Sequence, residues 1–158
     1  MDDVHRKKVL KERISGLPFF RGMQPDHVCK LSDSAMRTAF GPGQTIFLAG
    51  EAADRFYIIE EGQAEIDTPS PNGCPISIQM LNPGDVLGWS WLYPPHKWNL
   101  SAHAVNRCEA ISFFGAHVLS ECKKDIELGN DLYRRISQVM LDRLHHILDR
   151  LVDASADK

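Results

Sequence analysis

The sequence predicts a mainly β fold with flanking helices. Between residues 36 and 114, short runs of period-two alternation are separated by turns about every 8 to 12 residues, the pattern of a barrel or jelly roll. On either side of that block, apolar residues recur at helical spacing instead.

The elements follow in order. Val4, Val9, Leu10 and Ile14 lie among lysines and arginines, which predicts a short amphipathic helix over 4–15. Gly16-Leu17-Pro18 ends it, and Phe19-Phe20 supply two aromatic anchors. Gln24-Pro25-Asp26 opens a second helix, with proline in its first turn and Val28, Leu31 and Ala35 facing inward. After the Gly41-Pro42-Gly43 turn, residues 45–48 and 55–59 read as strands, and 63–67 as the hairpin partner of the latter. Residues 67–73, with two prolines and an Asn-Gly, form a loop; Ile76, Ile78 and Met80 then alternate and are expected to face inward. Runs over 101–105 and 109–114 complete the set. Gly43, Gly50, Gly62, Gly84 and Gly88 fall between or at the ends of these runs, where positive φ or close backbone approach is expected.

At 158 residues the chain is expected to form one domain over 1–158: N-terminal helices (1–35), a β-barrel (36–114) and C-terminal helices (115–153). A net charge of -3 gives no support for a nucleic-acid or anionic-membrane surface. No apolar run approaches the roughly 18 to 20 residues that span a bilayer, and the N-terminal eight residues lack the apolar core of a signal peptide, so a cytoplasmic protein is expected. Cys29, Cys74, Cys108 and Cys122 form no Cys-x-x-Cys pair and are expected to be reduced and mostly buried. His145 and His146 are adjacent on a helix and point about 100° apart, a poor metal geometry. With no nucleophile–base set, phosphate loop or metal cluster, no enzyme activity, catalytic residue, metal or cofactor is expected.

The most informative stretch is 87–102. All three tryptophans, Trp89, Trp91 and Trp98, lie there, directly after Pro83-Gly84-Asp85. Three such residues in ten positions indicate a pocket lining or a packed plug.

Taken in order, Leu17-Pro18-Phe19-Phe20, the 41–47 turn and strand, Gly50-Glu51-Ala52-Ala53-Asp54, residues 56–62 and Leu81-Asn82-Pro83-Gly84-Asp85-Val86-Leu87-Gly88 resemble the cyclic nucleotide-binding domain family of catabolite-activator-like regulators and protein kinase A regulatory subunits. The resemblance covers about residues 17–151. It implies an eight-stranded jelly roll (a double-stranded β-helix) with N-terminal helices and a long C-terminal dimerisation helix.

The ligand cassette departs from that family. There, a Gly-Glu places a carboxylate on the ribose hydroxyl, and an Arg about nine residues on pairs with the cyclic phosphate. Here Gly88 is kept, Trp89 takes the Glu position, Trp98 takes the Arg position, and Ser101 stands at the following hydroxyl position. Lys97 and His96 lie nearby, but a lysine is a point charge without the guanidinium fork. Tight cyclic AMP or cyclic GMP binding is therefore not expected. Gly88, Trp89, Ser90, Trp91, Leu92, Lys97, Trp98, Asn99 and Ser101 are the candidate pocket residues, either lining a site for a flat small molecule or filling a vacated one.

From Leu132 onward, apolar residues follow helical spacing, and Ser137, Met140, Leu144, Ile147 and Leu151 repeat by 3, 4, 3 and 4, the step of a coiled-coil seam. A homodimer through Met140, Leu144, Ile147 and Leu151 is expected, as the resemblance also implies. Only residues 153–158 follow in this sequence, so a standalone regulatory domain without a helix-turn-helix, not binding DNA directly and acting on a protein partner, is the expectation.

Overall fold

The computed structural model describes residues 2–156. Eight strands, β1 (Met36–Phe40), β2 (Thr45–Phe47), β3 (Arg55–Glu61), β4 (Ala64–Thr68), β5 (Ile76–Leu81), β6 (Val86–Leu87), β7 (Ser101–Ala104) and β8 (Cys108–Phe114), build two antiparallel four-stranded sheets. Their orders are β1-β8-β3-β6 and β2-β7-β4-β5, an eight-stranded jelly roll. Helices α1 (Asp3–Ser15) and α2 (Pro25–Ser32) precede the strands, while α3 (Gly115–Lys124) and α4 (Ile126–Ala156) follow them. Met1 and the last two residues of the expected polar tail, Asp157 and Lys158, lie outside the described residues.

The core forms where the N-terminal aromatic pair meets the β3–β8 ladder. Phe56 and Phe113 stack at 4.8 Å, Phe20 packs on Phe113 at 5.5 Å, and Phe19 meets Phe20 edge-on at 5.0 Å. Each such pair contributes about 0.5–1.5 kcal/mol beyond its area burial. Residues 56–59 of β3 are all buried, because one face of the strand points into the barrel while helices cover the other. Arg135 joins α4 to this region: it pairs with Asp131 at 2.9 Å and donates to the carbonyls of Phe19 and Arg21.

All five glycines expected at positive φ have it. At Gly62 a side chain is excluded twice over: φ is +80°, and a Cβ would run into the Arg107 carbonyl.

One face assignment is reversed. Ile76 and Met80 are exposed and Ile78 is only half-buried. The β4–β5 register pairs buried Ala64 and Ile66 with Leu81 and Gln79, which places Leu81 and Gln79 inward and Ile76 and Met80 outward, while Ile78 keeps a half-buried contact with the core and Ser77, opposite Asp67, is exposed. A period of two fixes alternation but not which face is inner, and a bulge between Ile66 and Asp67 shifts the ladder partway along.

All four cysteines are free. Cys108 and Cys122 are buried, Cys29 is half-buried, and Cys74 is exposed in the loop before β5. Burial pushes the Cys122 thiol up to about 11.

Helix α4 begins earlier than its apolar repeat suggests. Asp125 caps it, accepting from the Leu128 N–H at 3.2 Å, three residues on. Leu128, Leu132 and Ile136 are buried, Val139, Met140 and Ile147 are half-buried, and Leu141, Leu144, Leu148 and Leu151 are exposed. Its later turns lie along β5, where Arg150 donates to the carbonyls of Ser77 and Ile78.

Candidate ligand pocket

The pocket begins at the turn before β6. Gly84 donates to the Ile59 carbonyl at 2.7 Å and delivers the chain through Val86–Leu87 to Gly88, whose φ is +94°. A Cβ at Gly88 would lie 2.5 Å from the Trp98 ring, so glycine is what lets the indole rest against the backbone here. The indole also stacks on Phe47, with centroids 3.8 Å apart and planes within 10°. Its backbone is pinned on both sides, donating to the Glu51 carbonyl at 2.9 Å and accepting from the Gly50 N–H at 2.8 Å. Trp98 is therefore buried and held by both ring and main chain.

A cavity of about 50 Å³ remains beside it, lined by Phe47, Ile66, Gly88, Trp89, Ser90, Trp98, Asn99, Leu100 and Arg143. Five of the nine sequence-derived candidates, Gly88, Trp89, Ser90, Trp98 and Asn99, meet there. The other four lie elsewhere. Trp91 and Leu92 belong to a short 3₁₀ turn, where Trp91 stacks on Phe56 at 5.2 Å and rests against Gly115. Its indole N–H finds no acceptor among the described residues. Lys97 is exposed and bridges Ala52 through its backbone. Ser101 Oγ accepts from the Ala49 N–H at 2.9 Å, a strand-edge contact. His96 holds Trp91 through Nδ1, 2.9 Å from its carbonyl oxygen.

Sequence reasoning missed Phe47, Ile66, Leu100 and, most consequentially, Arg143. This arginine reaches in from α4 and is only 6% exposed. Its Nε donates to Gln79 Oε1 at 3.1 Å, its Nη2 donates to the Val86 carbonyl at 3.0 Å, and its Cζ lies 4.5 Å from the centre of the Trp89 ring. Among the described residues no carboxylate pairs with it within 4.0 Å. Burial pulls its pKa down to about 10, opposed by the charge of Asp85, so it stays cationic at neutral pH. The sequence did hold a signal: Leu132, Ile136, Val139 and Arg143 advance by 4, 3 and 4, which sets a charge in an otherwise apolar stripe. Arg143 also walls an outer groove of about 340 Å³ between α4, Phe19 and Val86.

One group of metal-ligating side chains occurs among the described residues: His27, Asp125 and Glu127, with ligand atoms within 4.8 Å of one another. The Lys30 ammonium already sits 3.2 Å from Asp125 Oδ2, where a cation would bind, and the other Asp125 oxygen caps α4. The cluster is a helix-start ion pair.

Comparison with known proteins identifies this architecture. The model of the cyclic nucleotide-binding domain family matches residues 37–125, from β1 to the end of α3. The chain belongs to the cyclic nucleotide-binding domain family. It is 26% identical over 144 residues to the CRP-like cAMP-activated global transcriptional regulator of Mycobacterium tuberculosis, a match covering 91% of this chain and 62% of that protein. A cAMP-dependent protein kinase regulatory subunit of Blastocladiella emersonii is 28% identical over 89 residues, 56% of this chain and 22% of that one. A cyclic nucleotide-binding domain from Methylobacillus flagellatus KT superposes with a TM-score of 0.78 at 16% identity, covering 95% of this chain and 84% of that one, and so shares the fold. The chain thus spans about 62% of the length of the transcriptional regulator it matches. Among the described residues no helix is long and apolar enough to cross a membrane.

Proposed function

We propose that this chain is a regulatory domain of the cyclic nucleotide-binding fold whose cassette is rebuilt so that it does not hold cyclic AMP tightly, and that it acts on a protein partner as a homodimer. One observation carries the reading: the Trp98 indole lies against Gly88 and Phe47, leaving about 50 Å³. An engineered cavity of about 150 Å³ holds a single benzene, three times this space, so even the base of a nucleotide exceeds it unless Trp98 moves. Without a guanidinium at position 98, the cyclic phosphate also loses a charge-assisted bidentate partner.

The dimer part rests on α4. Its exposed Leu144 and Leu151 are seven residues apart, two helical turns on one face, with Leu141 and Leu148 beside them. Met140 and Ile147 of the expected seam are half-buried, Met140 against the chain's own core, and flank that face. The reading assigns no catalysis to the chain, in keeping with the regulators it resembles.

Calorimetric titration with cyclic AMP and cyclic GMP tests the proposal. Dissociation constants no tighter than about 100 µM are expected. Submicromolar binding of either nucleotide overturns it. A second reading, a scaffold that senses nothing, is favoured by the small residual cavity and separates from the first if no small molecule binds while the dimer persists.

A further inference from the structure

We propose that the residual pocket is a receptor for a small planar oxyanion, of carboxylate or nitrate shape with three or four heavy atoms, held by the guanidinium of Arg143. This rests on the reading of the cassette as rebuilt and names its ligand.

Arg143 carries a buried charge with no ion-pair partner among the described residues. A buried cation is retained at a cost unless an anion pairs with it. Arg143 is buried, and no carboxylate among the described residues pairs with it; its two hydrogen bonds go to neutral acceptors, the Gln79 side chain and the Val86 carbonyl. Those bonds use Nε and Nη2, leaving Nη1 to donate. The Trp89 ring steadies the guanidinium through a cation–π contact at 4.5 Å, which orients the charge without neutralising it. Asp85 lends its field from a distance but forms no ion pair with it within 4.0 Å, so the site has room for a directly bound counterion.

The walls select the class of anion. The space of about 50 Å³ exceeds the roughly 30 Å³ share of one water and falls far short of an aromatic ring. The flat indole of Trp98 and the aromatic Phe47 favour a planar guest over a tetrahedral one. Ser90 and Asn99 add a hydroxyl and an amide that donate hydrogen bonds to an oxyanion. The phosphate-binding arginine implied by the family pattern belongs at position 98, so this cation comes from a different element. Because it rides on α4, filling the pocket fixes the helix that carries the exposed leucines.

Thermal melts of the whole protein in sodium formate, acetate and nitrate, each against sodium chloride of equal ionic strength, test the proposal. At least one anion should raise the melting temperature saturably, with an apparent Kd below about 1 mM. The formate and acetate arms against the nitrate arm separate a carboxylate from an inorganic source. Arg143→Met should abolish the saturable rise, whatever its effect on the melting temperature in chloride alone, where the loss of its bonds to Gln79 and Val86 opposes the relief of a buried charge. Arg143→Lys keeps the charge without the fork and should weaken binding about tenfold or more. The proposal is overturned if none of the three anions gives a saturable rise or if Arg143→Met retains it. Submicromolar cyclic AMP binding sinks the underlying reading whatever the anions do; absent anion binding with no nucleotide binding sinks this inference alone.

Discussion

Replacing Trp98 by alanine removes the indole that stacks on Phe47 at 3.8 Å and lies against Gly88. The walls of the resulting hole close poorly. One is the backbone at Gly88, the other is the ring of Phe47, and the chain at position 98 is pinned by hydrogen bonds to Gly50 and Glu51. Large-to-small substitution of a buried tryptophan costs about 3–5 kcal/mol, and limited collapse favours the middle of that range, about 4 kcal/mol. For a chain of 158 residues this lowers the melting temperature by roughly 8 to 16 °C. Urea unfolding followed by far-ultraviolet circular dichroism measures it without relying on the deleted fluorophore, and Trp98→Phe, which keeps a stacking ring, should recover much of the loss. A cost below about 1 kcal/mol for Trp98→Ala refutes the packing argument, because no buried side chain of that size is so lightly held.

Two further outcomes follow from the helices. Leu144→Glu combined with Leu151→Glu sets two charges per chain on the exposed face of α4, and sedimentation velocity should show the dimer shifted to monomer mass; an unchanged dimer places the interface elsewhere. The Asp125 carboxyl is held below its usual range, chiefly by the Leu128 N–H it accepts, with Lys30 helping. A carboxyl whose folded pKa is depressed contributes stability above its unfolded value, about 4, and loses it as pH falls through the folded value. Asp125→Ala should therefore melt lower than wild type at pH 7, with the gap closing as the pH drops below about 4; a gap independent of pH would show that the cap works without its charge.

Much of this architecture was legible in the chain because local physics dictates it. Proline in the first turn of α2, the Asp131–Arg135 pair and the five glycines at positive φ are each set by a few neighbouring residues. What was not legible depends on contacts distant in sequence. The inner face of β5 is one such case: Ile76 and Met80 alternate equally well with either face inward, and only the pairing of Ala64 with Leu81 turns them out. Five of the nine pocket-lining residues are legible, because the tryptophans cluster in sequence; Arg143 is not, because it joins them from 45 positions after Trp98, across β7, β8, the whole of α3 and half of α4. Ser101 stands at the family's ligand hydroxyl by position alone, whereas its hydroxyl accepts from the nearby Ala49 N–H.

The contact between α4 and β5 has a consequence for the protein's solution behaviour. β5 is the outermost strand of its sheet, and an open strand edge invites another chain to add to it. Arg150 occupies the carbonyls of Ser77 and Ile78, and Arg143, two helical turns earlier, engages the side chain of Gln79 on the same strand. The last turns of α4 thus act as a guard rail against intermolecular β-pairing. Loss of those turns, by proteolysis or truncation before Arg143, leaves the barrel strands intact while uncovering a short adhesive border, and self-association through β5 is the form that instability would take.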